Sequence, residues 1–596
     1  MLVVGVIVWS FLVAISSSSV YWRDGGEFVL AAFYLDISHP AGFPLYSSLA
    51  NAITLLPFGQ IAWRVNLFST TCSTIVVIGA YWISWRLLTN LFFTKAVPAY
   101  LYSALVVPIL LGSVAFLHQS GTAEVYVLNA LVFEILLALY LEYRITLRNK
   151  KEDVRFLYSS AFIAGIGLGN HVSLAGPLVV AFLVILTDWK KVVPILHVCA
   201  LFFFVGLSIY LYLPLRASQP VPLRTGSPTT IARFLSLITD ARDRNLKVAT
   251  GPTLKQESVM FAGIMGNTTA EIKKLSNEIA PWLLGIGVVG VFFLGRRDLR
   301  LATLLVGSFF TTWFFFYGWQ PFPWIPLFIV IALGVPPCVA VVTAKFSKNN
   351  IREAGLITAC MLVIWLITLP ERERIKCLSN LNNYDMPLET ARRVVSSLPE
   401  GAVYLTESSW FLLAYVRFIE QFRPDITLVY QPRVLFPEFF EPVGSTLKIV
   451  RTGTTESGEV DLGALGSLLV AHKLPFGFEP SVTINSFVKD VAFVTGEGNY
   501  SISRTVLAGT DEAAAEGRLK SLNPLLDDIR GAHPLLADDA RAYLETILVN
   551  EADMLAKMGR IDLALRLYDG ACNRIHPREC SPGALTNIQM LRENQR

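Results

Sequence analysis

The chain has 596 residues, of which 53% are hydrophobic, 12% aromatic and only 16% charged, with a formal net charge of +4 and a mean hydropathy of +0.51. Soluble proteins carry about 25% charged residues, so this is the composition of an integral membrane protein. The small net charge, with no Lys/Arg block interleaved with aromatics, excludes a nucleic-acid surface, and no nucleic-acid partner is expected.

Apolar runs long enough to span about 30 Å of hydrocarbon lie near residues 2–20, 66–85, 97–117, 124–142, 156–169, 172–187, 193–214, 280–295, 301–318, 322–343 and 354–370. They predict a polytopic α-helical membrane domain over 1–370 with about eleven spans. The first is read as an uncleaved span, because a basic n-region is missing and Ser16-Ser17-Ser18-Ser19 is a weak cleavage site. Directly after it stands Tyr21-Trp22-Arg23-Asp24-Gly25-Gly26-Glu27-Phe28. Charge at a membrane boundary is costly unless solvated or paired, which makes Asp24 and Glu27 a candidate site.

The loop 21–65 is too amphipathic for plain linker. It predicts short interfacial helices at Phe28–Leu35 and Leu45–Leu56, broken by Ser38-His39-Pro40-Ala41-Gly42-Phe43-Pro44. The runs between 156 and 187 predict a helical hairpin turning at Gly169-Asn170-His171. A second polar segment, 216–279, is expected to fold over the first loop.

Lys and Arg gather in alternate loops, at Arg86 and Lys95, Arg144 to Arg155, Lys190 and Lys191, Arg296 to Arg300, and Lys345 to Arg352. The positive-inside rule makes those loops cytoplasmic. The Asp24 loop, 216–279 and everything after 370 then lie outside the cytoplasm.

Beyond 370 the pattern becomes that of a soluble domain. Residues 402–406, 410–422 and 426–430 read as strand, helix and strand, the unit of a parallel sheet, within an α/β domain over 371–505. The region 506–596 is helical. There Ala552, Leu555, Gly559, Ala564, Leu567, Tyr568, Ala571 and Pro577 match the spacing of one tetratricopeptide (TPR) repeat, a unit that caps the soluble domain or docks a partner. Cys572 and Cys580 lie in the exported part, where a disulfide is permitted; Cys72, Cys199, Cys338 and Cys360 read as packing residues of spans.

Spacing alone supports two readings of the acidic pair. Asp-x-x-Glu at a helix start is a capping-box-like arrangement. A partly desolvated carboxylate at a membrane edge is also suited to accept a proton from a hydroxyl.

Six motifs, in order, resemble a known family: Asp24-Gly25-Gly26-Glu27-Phe28, His39-Pro40-Ala41-Gly42-Phe43-Pro44-Leu45-Tyr46, Ala62-Trp63-Arg64-Val65-Asn66-Leu67, Thr122-Ala123-Glu124-Val125-Tyr126-Val127-Leu128-Asn129, Gly169-Asn170-His171 and Tyr212-Leu213-Pro214-Leu215-Arg216-Ala217. The signature is similar to that of the GT-C glycosyltransferases, in the branch with the endoplasmic-reticulum protein O-mannosyltransferase for plexin-type receptors and its bacterial relatives. It covers most of residues 20–220.

The resemblance implies a multi-span enzyme that transfers a sugar, with inversion, from a polyprenyl-phosphate carrier to an acceptor on the external face, with Asp24 as base and Glu27 assisting. Mannose and an exported protein acceptor at Ser or Thr are favoured by resemblance alone; a cell-envelope glycan or lipid is the alternative acceptor. The leaving phosphate needs a cation, and Arg offers a planar two-pronged donor. Arg216 is the preferred ligand, Arg64 and Arg224 being further candidates, although snorkelling explains each singly. His39 and His171 are candidates for hydrogen bonds to sugar or phosphate, and Glu124 and Tyr126, opening a span, for sugar hydroxyls; a helix-dipole role explains Glu124 equally. The aromatics between Trp313 and Trp324 read as interfacial belt, part of which is a candidate carrier groove.

Neither a Gly-rich phosphate loop nor the Asp-x-Asp of nucleotide-sugar enzymes occurs, so a soluble nucleotide-sugar donor is disfavoured. No cofactor and no metal are expected. A proton-coupled transporter or flippase would carry ionisable groups near the midplane, whereas the charges here gather at one face; a membrane-anchored scaffold is the third reading. The bacterial relatives point to an inner membrane, with the soluble part in the periplasm; in a eukaryote the same reading gives the endoplasmic-reticulum membrane with a lumenal domain.

Overall fold

Helix forms at every apolar run, in a computed structural model that describes residues 1–150, 153–219, 221–223, 225, 228–239, 268–317, 321–346, 351–368, 381–396, 398–406, 409–430, 476–479, 493–496, 499–502, 534–557, 559–572 and 582–594. Among these, four helices are long and apolar enough to cross a membrane: Ile61–Asn90, Tyr126–Arg148, Trp189–Ala217 and Phe322–Lys345. Leu2–Ile15, Arg155–Leu168, Val172–Leu186 and Leu299–Phe315 are apolar but shorter. By length and composition alone, four of the described helices are long and apolar enough to cross, or up to six if each of two bent pairs is one span.

One bent pair corrects the span read over 97–117. Ala96–Leu111 meets Val114–Gly121 at 74°. Hydropathy continues through the break, but Ser113 takes over the backbone: its side chain accepts from Phe116 N–H at 3.1 Å and donates to the buried Glu278 carboxylate at 2.7 Å. Glu278 also accepts Ala115 N–H at 2.8 Å. A helix start with its donors satisfied by side chains is an end to the preceding helix.

The chain divides into two compact units, the first containing Met1–Ser18, Ala31–Val221 and Pro228–Asn383, the second Ser19–Leu30, Pro222–Ser227 and Tyr384–Arg596. In the first, close helix contacts rest on glycine. A Cβ at Gly165 would collide with the Phe203 carbonyl, one at Gly206 with that of Phe162, and one at Gly290 with that of Gly334. Where lipid supplies no hydrophobic drive between helices, such small-residue contacts bring backbones together. The hairpin turns where expected, at Gly169 to His171, between Arg155–Leu168 and the helical stretch from Val172. Leu237, on the Ile231–Thr239 helix, packs with Ile37, Tyr210, Leu213 and Ala217, so this helix of the 216–279 segment meets the first loop at Ile37.

The basic ends of helices in this unit are tied by ions. Asp298, fully buried, caps Leu299–Phe315 by accepting Leu301 N–H at 3.1 Å and pairs with Arg144 at 3.0 Å; Asp188 pairs with Arg300 at 2.5 Å. Arg86 forks onto Glu142 at 2.6 and 2.7 Å.

The second unit holds a five-stranded sheet ordered β2-β1-β3-β5-β4. β1 (Val403–Thr406) runs parallel to β2 (Thr427–Tyr430) and to β3 (Phe476–Phe478), with Trp410–Ala414 and a π-helical turn Tyr415–Ile419 in the β1–β2 crossover. β5 (Asn499–Ile502) is antiparallel to β3 and to β4 (Phe493–Gly496), an edge that the sequence reading did not foresee. Helices Pro534–Lys557, Ile561–Gly570 and Pro582–Asn594 follow, with Ala552, Leu555, Ala564, Leu567 and Tyr568 buried among them. Tyr568 donates to Asp553, and Asn587 to both. Cys572 is disulfide-bonded; Cys580 lies outside the described residues.

Candidate functional site

Each unit contributes predicted site residues, and each set is built differently. In the second unit the helix Gly25–Tyr34 begins directly after Asp24, with Glu27 in its first turn, so the capping-box placement holds in the backbone. Phe28 N–H donates to the Asp24 carbonyl at 2.9 Å. Asp24 is half-buried and Glu27 fully buried. The backbone enters through Arg23 at φ 61°, a left-handed conformation unusual outside glycine.

Gly26 is fixed by packing. A Cβ there would sit 2.5 Å from the Phe411 carbonyl oxygen and 2.8 Å from its carbon, so only glycine lets the first helical turn approach that backbone. Tyr21 and Trp22 are buried at 3% and 2% exposure. Burial, and then the neighbouring Asp539 charge, push the Tyr21 phenol well above its usual range.

In the first unit the remaining candidates gather around His171. The His39 ring lies 4.9 Å from Phe43, and Phe43 stacks on His171 at 5.8 Å. Tyr126 is 5.5 Å from His171 and Phe316 is 5.6 Å away. Gly42 and Phe43 both adopt positive φ, which aims Phe43 into this layer ahead of the Pro44–Thr54 helix. His171 Nδ1 accepts Ser173 N–H at 3.1 Å, so the neutral ring carries its proton on Nε2. Desolvation, and second the His39 ring, push His171 down to about 3, which keeps it neutral at physiological pH.

The other predicted residues sit apart from this layer or are committed elsewhere. Glu124 does not open the helix; Tyr126–Arg148 starts two residues later, after Val125 at the N-cap. Glu124 and burial together raise the Tyr46 phenol, burial being the larger cause. Arg216 donates from Nε to the Leu35 carbonyl at 2.5 Å and from Nη2 to that of Tyr34 at 2.8 Å, closing the C-terminus of the Gly25–Tyr34 helix. Arg64 likewise serves the carbonyls of Thr54, Phe58 and Gly59. Both arginines are backbone staples here, not free phosphate prongs. Arg224 lies outside the described residues.

Two participants went unread. Asp36 is fully buried and accepts Ile37 N–H at 2.7 Å, and the carbonyl of the same residue accepts the Tyr212 hydroxyl at 3.0 Å; an acid between apolar residues in Leu35-Asp36-Ile37 was the available signal. Phe316, read with the aromatic belt, is 1% exposed whereas Phe314 is 64% exposed; helical spacing separates them, but only the fold tells which faces inward.

Comparison with known proteins shows what these residues are similar to. Residues 24–193 match the domain described as the protein O-mannosyl-transferase TMEM260 N-terminal domain. The mouse protein O-mannosyl-transferase TMEM260 is 24% identical over 454 residues, covering 70% of this chain and 60% of that protein; the chain thus spans about three-fifths of that relative's length. In fold, the chain is similar to ArnT from Cupriavidus metallidurans in the apo state, at a TM-score of 0.50 and 12% identity, over 83% of this chain and 94% of that one. Residues 24–193 are thus similar to the N-terminal domain of the TMEM260 protein O-mannosyl-transferases, and the fold is similar to that of ArnT.

Proposed function

We propose that the protein is an inverting glycosyltransferase that moves a sugar, mannose by preference, from a polyprenyl-phosphate carrier to a Ser or Thr hydroxyl of an exported protein on the extracytoplasmic face of the membrane. The observation that carries this reading is that the matched family domain begins at Asp24 itself, an acid at a helix start directly after the first apolar helix.

In the reaction, the acceptor oxygen attacks the anomeric carbon from the face opposite the phosphate. The C1–O bond to phosphate breaks, the acceptor proton passes to the Asp24 carboxylate, and polyprenyl phosphate leaves with the bonding pair. Glu27 orients Asp24. A neutral His171, donating from Nε2, is suited to a sugar or phosphate oxygen without adding charge, and Tyr126 and His39 are its partners in binding. Glu124 serves sugar hydroxyls. Because their guanidinium forks are engaged with carbonyls, Arg216 and Arg64 act on the donor phosphate through the positive field they bring to the external boundary. The donor is a substrate, and the reading invokes no resident cofactor or metal. The bacterial inner membrane, with the second unit's sheet in the periplasm, is the compartment that suits such a donor.

The test is sugar release from radiolabelled polyprenyl-phosphate mannose by the full chain and by Asp24→Asn, with exported proteins as acceptors. Loss of a general base removes about 10²- to 10⁴-fold in rate, so near-total loss with donor binding intact is expected. Undiminished transfer by Asp24→Asn would reduce Asp24 to a helix cap.

A further inference from the structure

We propose that Asp539 and Tyr543, one turn apart on the Pro534–Lys557 helix, are positioning residues for the acidic turn, which makes the C-terminal helical region a component of the transfer machinery and not only a docking module. The proposal rests on the reading of Asp24 as base.

Asp24 follows a residue in the left-handed region, Arg23, and precedes a two-glycine step, Gly25-Gly26. Neither feature holds itself: glycine is the most conformationally free residue, and a left-handed non-glycine residue persists where its surroundings over-determine it. What surrounds this turn comes from the far end of the chain. Asp539 receives two donors at once, Tyr21 Oη on Oδ2 at 3.1 Å and Arg23 Nη2 on Oδ1 at 2.5 Å. A single carboxylate, 8% exposed, therefore bridges the residues on either side of Trp22.

Trp22 is seated in turn. Its ring lies 5.0 Å from that of Tyr543 and its indole N–H donates to Tyr384 Oη at 2.9 Å. Tyr543 also reaches the other flank. Its hydroxyl bonds Ser409, the residue before the Trp410–Ala414 helix, whose Phe411 carbonyl abuts Gly26. Ser409 is locked independently by the buried Glu479, which accepts its N–H at 3.2 Å and its hydroxyl at 3.0 Å. Positions i and i+4 face the same way on a helix, so one helix face fixes the turn both before and after Asp24. A repeat whose role was only to recruit a partner would not bury tryptophan and tyrosine of the acidic loop.

Asn at 539 keeps the shape but has one neutral acceptor oxygen in place of two charged ones, so the two charge-assisted bonds from Tyr21 and Arg23 cannot both be kept. The experiment uses the full chain in detergent with two readouts, hydrogen exchange of peptides spanning 20–28 and transfer from polyprenyl-phosphate mannose. Asp539→Asn is expected to speed exchange locally by about tenfold, the equivalent of one charge-assisted hydrogen bond. It is also expected to lower kcat by about 10- to 100-fold, the scale of a small misplacement of a catalytic group, with the donor KM unchanged. Arg23→Gln should behave alike, and the double variant should be no worse than either single one, since the pair acts as a unit. Tyr543→Phe keeps the ring and loses the Ser409 bond; it should loosen 409–411 together with 20–28 in a protein that is otherwise intact. Arg592→Gln, in an ion pair with Asp569 exposed on both sides, should change nothing.

Unchanged exchange over 20–28 in both Asp539→Asn and Tyr543→Phe overturns the proposal, as does a loss of activity seen wholly in KM. If the wild type transfers no sugar while exchange over 20–28 responds as described, the glycosyltransferase reading fails and the bracing of the turn stands.

Discussion

The acidic turn and the His171 layer are both candidate reactive surfaces, yet they are held by opposite means. Around Asp24 the side chains carry charge and hydroxyls: Tyr21 and Arg23 donate to Asp539, Trp22 donates to Tyr384, and a glycine meets a carbonyl. Around His171 the neighbours are rings, Phe43, Tyr126 and Phe316, and its imidazole accepts the Ser173 N–H of its own turn. A polar brace fixes a group in angle. An aromatic enclosure fixes it by shape and removes its charge. A base for a hydroxyl proton belongs in the first setting, and an uncharged donor in the second.

Three substitutions test that contrast, in descending size of effect. Gly26→Ala places a methyl against the Phe411 carbonyl, which is backbone and cannot swing aside; overpacking of this kind costs about 1–3 kcal/mol. We expect a lowered melting temperature in detergent together with a kcat loss comparable to that of Asp539→Asn. Normal values for both would mean that the helix can retreat from Phe411 without disturbing Asp24.

Arg216→Lys comes second. An ammonium cannot span the Tyr34 and Leu35 carbonyls as the guanidinium does, and a hydrogen bond to a charged group contributes about 1.5–3 kcal/mol. The expected result is a modest stability loss, with donor affinity reduced less than in a direct phosphate ligand. A selective collapse of donor affinity with stability intact would instead place the guanidinium on the phosphate.

The smallest effect is expected from pH. His171 sits at about 3 in the folded protein, below the roughly 6.5 of an unfolded histidine. The unfolded chain therefore binds the extra proton first. The stability that the neutral ring contributes is fully present above about pH 6.5 and declines as pH falls from there toward 3. Melting temperature measured between pH 7.5 and 5 should fall in the wild type and fall less in His171→Gln. Equal slopes would show that the enclosure does not hold the ring neutral.

Much of the fold was legible because it depends on local pattern. Apolar length marked where helices form, Gly169 to His171 marked the hairpin tip, and β-branched and aromatic runs marked β1 and β2. The break at Ser113 was not legible, since Glu278, which caps it, lies 165 residues away and hydropathy does not register a cap. The same limit applies to the arginines. Position at a membrane boundary suggested a phosphate ligand for Arg216, but carbonyls left over at a helix end 181 residues earlier compete for the same donors. At the candidate site, the chemistry-bearing residue types were readable; which of them share a wall was not, because Phe316 and Phe314 differ only in the side of the helix that the fold turns inward.

The partner of Arg23 lies 516 residues further along the chain. A ribosome adds residues in order, so the turn at Asp24 enters the membrane long before the carboxylate that bridges it exists. Until residue 539 is made, the bonds from Tyr21 and Arg23 to that carboxylate cannot form. A chain cut short before Asp539 lacks that clasp, even with every apolar helix in place.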